Sequence, residues 1–127
     1  VVVRDYRELD CWILADRVRR LVLRATMRSG FAQHRWLSSQ PQRAAISACS
    51  NIAEGFSRFN SKDFGRFMNM SKGSLSEILE HLEAAKELYL ITAEEHATIS
   101  DLARRSRAAA TKLAAYLRTA TPPRAPE

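Results

Sequence analysis

The stretch Leu37 to Arg58 reads LSSQPQRAAISACSNIAEGFSR, and its reading decides the fold. Gln40, Ser47 and Glu54 recur every seven residues, and Arg43 or Ala44 together with Asn51 fill the intermediate turns. On a helix these groups form one polar stripe. Ala45, Ile46, Ala48, Cys49, Ile52 and Ala53 leave little of the remaining surface polar. A helix apolar on most sides is a buried helix. The stripe must then meet partners on other helices or at a subunit boundary, because unpaired buried polar groups are costly.

Downstream, the pattern predicts a long helix beginning near Asn60 or Ser61, with Asp63 placed to favour its N-terminus. Phe64, Phe67 or Met68, Ser71, Leu75, Ile78 or Leu79, Leu82, Ala85 and Tyr89 trace its buried side. Gly73 interrupts this helix at a cost of about 1 kcal/mol relative to alanine. A close backbone crossing by the alanine-rich second helix would account for it. Ser74 and Glu77, beside Gly73, are the candidate partners for Arg43, Asn51 and Glu54. Thr92 with Glu95 has capping-box spacing and opens a fourth helix that runs to about Arg118. Its inward side carries Ile99, Leu102 or Ala103, Ser106, Ala109 or Ala110, Leu113, and Tyr116 or Leu117.

Upstream, Leu9, Trp12 or Ile13, Val18, Leu21 or Val22, and Ala25 give a first helix from about Asp5 to Met27. Its other faces carry Arg17, Arg19, Arg20, Arg24 and Arg28. Ser29-Gly30 ends it, and the apolar connector with Phe31, Trp36 and Leu37 is expected to seal one end of the molecule. Ser39 with Gln42 has capping-box spacing for the second helix, with Ser38 an equal alternative, and places Pro41 in the first turn, where proline is tolerated. The expectation is an all-α, antiparallel up-and-down four-helix bundle over residues 1–120, followed by a disordered or loosely attached tail, 121–127.

The 127 residues suffice for one domain with a real core. The net charge of +6 is unevenly spread. Residues 1–60 carry ten basic and five acidic groups, residues 61–101 four and eight, and residues 102–127 six and one. Nucleic-acid binding is one reading of this charge; a solvated bundle surface or contacts between oppositely charged helices explain the balance equally well. Cys11 and Cys49 lack metal-ligand spacing and read as small buried hydrophobes of a reducing compartment. With no membrane-spanning run, the expectation is a soluble, cytoplasmic protein without a membrane role.

No motif supplies catalysis, a metal site or a cofactor site. The nucleophile elbow, the glycine-rich phosphate loop, HExxH and CxxC are all missing from the sequence. His34, His81 and His96 lie in separate segments. Residues 77–83 read EILEHLE, which is not the Glu-x-x-His pairing of a di-metal bundle. Glu54 and Glu77 remain an inward carboxylate pair without a histidine, and an enzyme built on them is the least favoured reading.

These residues also carry a resemblance. The chain resembles, from Asp5 to about Leu117, the small four-helix-bundle proteins encoded by intervening sequences of bacterial 23S ribosomal RNA, the S23 family. The carriers are Tyr6 to Trp12 (YREL-x-x-W) with Ala15, the stretch around Asn51-Ile52-Ala53-Glu54-Gly55 with Arg58, and Phe64, Phe67 and Gly73-Ser74-Leu75-Ser76-Glu77. The step Tyr89-Leu90-Ile91-Thr92 fits as well. The resemblance implies an up-and-down bundle that associates into rings, commonly homopentamers, with a poorly defined molecular role. Related accessory proteins of diversity-generating retroelements resemble a basic pentameric barrel that binds a reverse transcriptase and its RNA. By that likeness RNA, or a protein partner such as a reverse transcriptase, is the partner to look for, and Arg17, Arg20, Arg24, Arg104, Arg105 and Arg107 are candidate nucleic-acid contacts, through phosphate. The chain departs from the family at Pro41 and Gln42, where an aliphatic residue and a second arginine are usual. It departs again at Ala48-Cys49 in place of isoleucine-proline, and at Ala32 in place of proline. The alternative to RNA binding is a scaffold or accessory subunit with only protein partners.

Overall fold

The computed structural model describes residues 3–58 and 60–119. The expected tail, 121–127, lies outside them. Four helices follow one another: α1 (Asp10–Thr26), α2 (Arg35–Phe56), α3 (Ser61–Glu87) and α4 (Ala93–Thr119). There is no strand among the described residues. Helix α1 packs on α2 and α4, and α3 packs on the same two, so α1 and α3 stand on opposite corners of an antiparallel up-and-down bundle. The core is contributed by all four helices, with Val18 and Val22, Leu37 and Ile52, Leu75 and Ile78, and Leu102 and Ala103 fully or almost fully buried.

Local chemistry explains most helix ends. Asn60 caps α3 by accepting from the backbone N–H groups of Lys62 (2.8 Å) and Asp63 (3.3 Å). Thr92 and Glu95 form the reciprocal box that opens α4, at 2.8 and 3.0 Å. Helix α3 closes in a Schellman turn, with Leu90 N–H on the Ala85 carbonyl (2.9 Å) and Tyr89 N–H on that of Lys86 (3.0 Å). Tyr89 takes the left-handed position of that turn at φ 58°, a place normally filled by glycine.

Four expectations need correction. Helix α2 begins at Arg35, not at a Ser39 cap, and the Ser39 hydroxyl donates back to the Trp36 carbonyl. Pro41 is therefore buried at the end of the second turn, where it cannot donate to Leu37. Packing of Phe31 and Leu37 into the core draws the connector onto the bundle and extends the helix past the local signal. The seal at that end is incomplete, since Trp36 is 56% exposed. Helix α1 proper begins at Asp10, preceded by a 3-10 turn at Tyr6–Glu8 capped by Asp5. A 3-10 segment at Ser29–Gln33 follows α1.

The last correction concerns glycine. A Cβ on Gly73 would meet nothing within 4 Å, so no backbone crosses there. The close crossing is at Gly55, where an added Cβ would stand 2.8 Å from Phe67 Cβ and 3.0 Å from Phe64 Cδ1. Helix α2 thus approaches α3 through the glycine of the Ile52-Ala53-Glu54-Gly55 segment.

Candidate functional site

The polar stripe of α2 runs along its α3-facing edge. Its middle is knitted together: Ser74 donates to the Ser47 hydroxyl at 3.0 Å, and Asn51 Nδ2 donates to the Ser47 carbonyl (2.9 Å) and hydroxyl (3.1 Å). Deeper in the same seam, the fully buried Ser71 hydroxyl donates to the Ala48 carbonyl at 2.8 Å. The ends of the stripe turn elsewhere. Glu54 is exposed and pairs with Arg58 one turn on, at 3.0 Å. Glu77 is exposed and meets His81 at 3.3 Å, so it is no partner of Arg43, Asn51 or Glu54. Gln40 is half-buried and Arg43 exposed. Ser47, Asn51 and Ser74 are brought together; Gln40, Arg43, Glu54 and Glu77 are not.

The arginines separate into distinct settings. A groove of about 530 Å³ between α1 and α4 is lined by Asp10, Ile13, Arg17, Arg105, Ala109 and Lys112. Arg105 also stands 3.5 Å from Asp101. Lys112 joins this groove although the sequence reading passed over it; only its seven-residue spacing from Arg105 signals it. Arg20 is held by Asp16, whose side chain is 9% exposed. That carboxylate accepts from Arg20 Nε at 2.9 Å and from Arg19 Nη2 at 2.5 Å and Nε at 3.1 Å. The i, i+3 and i+4 spacing of Asp16, Arg19 and Arg20 was the signal for this buried carboxylate. Arg104 and Arg107 lie a quarter-turn or more around α4 from Arg105, so the run of three does not form one patch. Arg24 borders the α1–α4 boundary nearer the end of the bundle, beside Leu21, Thr98 and Ile99.

That end is tied by Arg28, which donates from both terminal nitrogens to the Glu95 carboxylate. The Arg28 contacts, and then the Thr92 backbone N–H, lower the Glu95 pKa from 4.5 to about 2. The same end exposes Met27, Trp36, Leu88 and Tyr89, the last at 93%.

Burial pushes both free thiols, Cys11 and Cys49, up to about 11, so neither is a ready nucleophile. His96 meets Glu83 across α3 and α4 at 3.0 Å, as His81 meets Glu77 within α3. Among the described residues no group of three or more His, Cys, Asp or Glu could hold a metal ion, and no helix is long and apolar enough to cross a membrane. The family model described as 23S rRNA-intervening sequence protein matches residues 7–112. A search of curated proteins finds no match.

Proposed function

The chain belongs to the family of 23S rRNA-intervening sequence proteins, and we propose that it works as a non-enzymatic, cytoplasmic bundle that assembles with copies of itself, as a pentameric ring by family likeness, and offers its basic groove to RNA. The observation that carries the RNA reading is the gathering of Arg17, Arg105 and Lys112 in one groove between α1 and α4. Three cations along a shallow channel suit a phosphate backbone, and their contribution is salt-sensitive and independent of base sequence. Asp10 and Asp101 temper that charge, so repetition of the groove in an assembly supplies the affinity that one copy lacks.

The test is a titration of structured RNA, single-stranded RNA and duplex DNA at rising salt, read by fluorescence anisotropy. RNA binding that persists near about 150 mM salt and fails in an Arg105→Glu, Lys112→Glu variant supports the reading. Equal, weak binding to all three nucleic acids that vanishes with salt contradicts it. A protein partner, such as a reverse transcriptase, is the second reading. It is favoured by the apolar end that exposes Met27, Trp36, Leu88 and Tyr89.

A further inference from the structure

Helices α1 and α3 stand on opposite corners of the bundle and run in the same direction. Over residues 13–24 of α1 and 70–87 of α3 their outward stripes carry opposite charge. On α1 the stripe is Ile13, Arg20 and Arg24, at the three- and four-residue steps that align side chains on a helix. On α3 it is Met70, Gly73, Glu77, Glu80 and Glu87. All of these residues are exposed. Ile13 is 42% exposed and Met70 45%, unusual positions for apolar side chains on otherwise charged stripes.

Contacts with the shared neighbour α4 relate the heights of the two stripes. Ser106 reaches the Cys11 carbonyl and Arg28 reaches Glu95, while His96 reaches Glu83. Counting at about 1.5 Å per residue from the Arg28 and His96 contacts puts Arg24 level with Glu80 and Ile13 beside Met70, while counting from the Ser106 contact shifts both by about six residues along α3. The positive, negative and apolar positions therefore match in order on opposite corners of one molecule.

Gly73 leaves the middle of the α3 stripe without a side chain, and, as at Gly65, no atom of this chain lies within 4 Å of where its Cβ would be. The gap leaves room for a second helix to approach from outside. In addition, neither Arg24 nor Glu80 has an ion-pair partner among the described residues.

We infer that the outward stripe of α1 in one copy docks, parallel and level, on the outward stripe of α3 in the next, with Arg24 against Glu80 and Ile13 against Met70 and Gly73. The two patches differ and lie on opposite corners, so the contact is head-to-tail and propagates into a closed ring if its rotation closes. This assignment rests on the self-association proposed above and names the surfaces that perform it. It takes Ile13 from the α1 wall of the α1–α4 groove and does not use Arg105 or Lys112 on the α4 wall.

The test is a charge swap followed by sedimentation velocity of the full chain at several concentrations, with circular dichroism as the folding check. Arg24→Glu alone and Glu80→Arg alone each place like charges across the contact and should weaken association at least about tenfold. The Arg24→Glu, Glu80→Arg double variant restores opposite charges and should associate as the unsubstituted chain does. Mixing the two single variants should also recover association between unlike copies, as alternating assemblies that need not close into a ring of five, since each supplies the face the other lacks. An unsubstituted chain that stays monomeric overturns the self-association itself. Assembly that is indifferent to both single reversals, with all variants folded, leaves self-association standing and overturns this choice of faces. Single variants that weaken with no rescue in the double variant or the mixture overturn it as well.

Discussion

Replacing Gly55 with alanine tests the helix crossing on which the α2–α3 seam depends. The new Cβ would stand 2.8 Å from Phe67 Cβ, whereas carbon atoms pack at about 3.5–4.0 Å. Phe67 Cβ is fixed to the α3 backbone, so the strain cannot be relieved by a side-chain rotation. The helices must separate by about 0.7–1.2 Å to restore ordinary contact. Overpacking of this kind costs about 1–3 kcal/mol, against a gain in helix propensity of about 1 kcal/mol, for a net loss of about 0–2 kcal/mol. Gly65 is the internal control: it lies in α3 with nothing within 4 Å of an added Cβ, so Gly65→Ala should stabilise by about 0.5–1 kcal/mol. Urea unfolding followed by circular dichroism, at one fixed protein concentration, reads both. The crossing at Gly55 also sets the spacing that lets Ser71 and Ser74 reach α2, so Gly55→Ala should loosen that seam. A Gly55→Ala chain stabilised as much as the Gly65→Ala chain would refute the reasoning.

Tyr89 holds a left-handed conformation at φ 58° while its ring is almost wholly in water, so Tyr89→Gly should stabilise by about 0.5–1 kcal/mol; a destabilised variant on thermal unfolding would show that the ring makes contacts this fold lacks. The Glu95 carboxyl is held near 2 in the folded chain against 4.5 when free, so its contribution is complete above pH 4.5 and is lost as the pH falls toward 2. Stability measured across that window should therefore fall less steeply in Glu95→Gln than in the parent, and equal slopes would remove the Arg28 pair from the account. Asn51→Ala should cost about 0.5–1.5 kcal/mol, because the amide is half-buried and donates only within its own helix; a loss beyond about 3 kcal/mol would place it in a dry interface. Cys11 and Cys49 should resist iodoacetamide at pH 8 until the chain unfolds, and prompt alkylation of either would contradict their burial.

Much of this architecture was legible in the residues. Thr92 and Glu95 announced the start of α4 because a capping box is a local device, complete within four residues. Asn60 did the same for α3. The Ser39–Gln42 spacing misled for an instructive reason. Gln42 donates instead to the Thr26 hydroxyl at 2.7 Å, a tertiary contact with α1, while Leu37 is buried and carries α2 on past the apparent cap. Local spacing cannot reveal that competition. The two glycines show the same limit: the sequence reading puts the close crossing at Gly73, and only the packing decides that Gly55 meets α3 and Gly73 faces outward.

The arginines divide along similar lines. Their number was plain from composition, and the three- and four-residue steps put Arg17, Arg20 and Arg24 on one side of α1. What the sequence could not supply was the neighbour. Asp16 claims Arg20, the α4 groove brings Arg17 to Arg105 and Lys112, and Arg104 and Arg107 turn away from both. Each pairing depends on which helix lies alongside, a property of the bundle rather than of any one segment.

The central claim is that this chain acts as an assembly. Sedimentation velocity of the unsubstituted protein at micromolar concentration measures it most directly. The account predicts one dominant species several times heavier than the 14.4 kDa chain, giving way to smaller species as salt rises. A single 14.4 kDa species at every concentration and salt would contradict it.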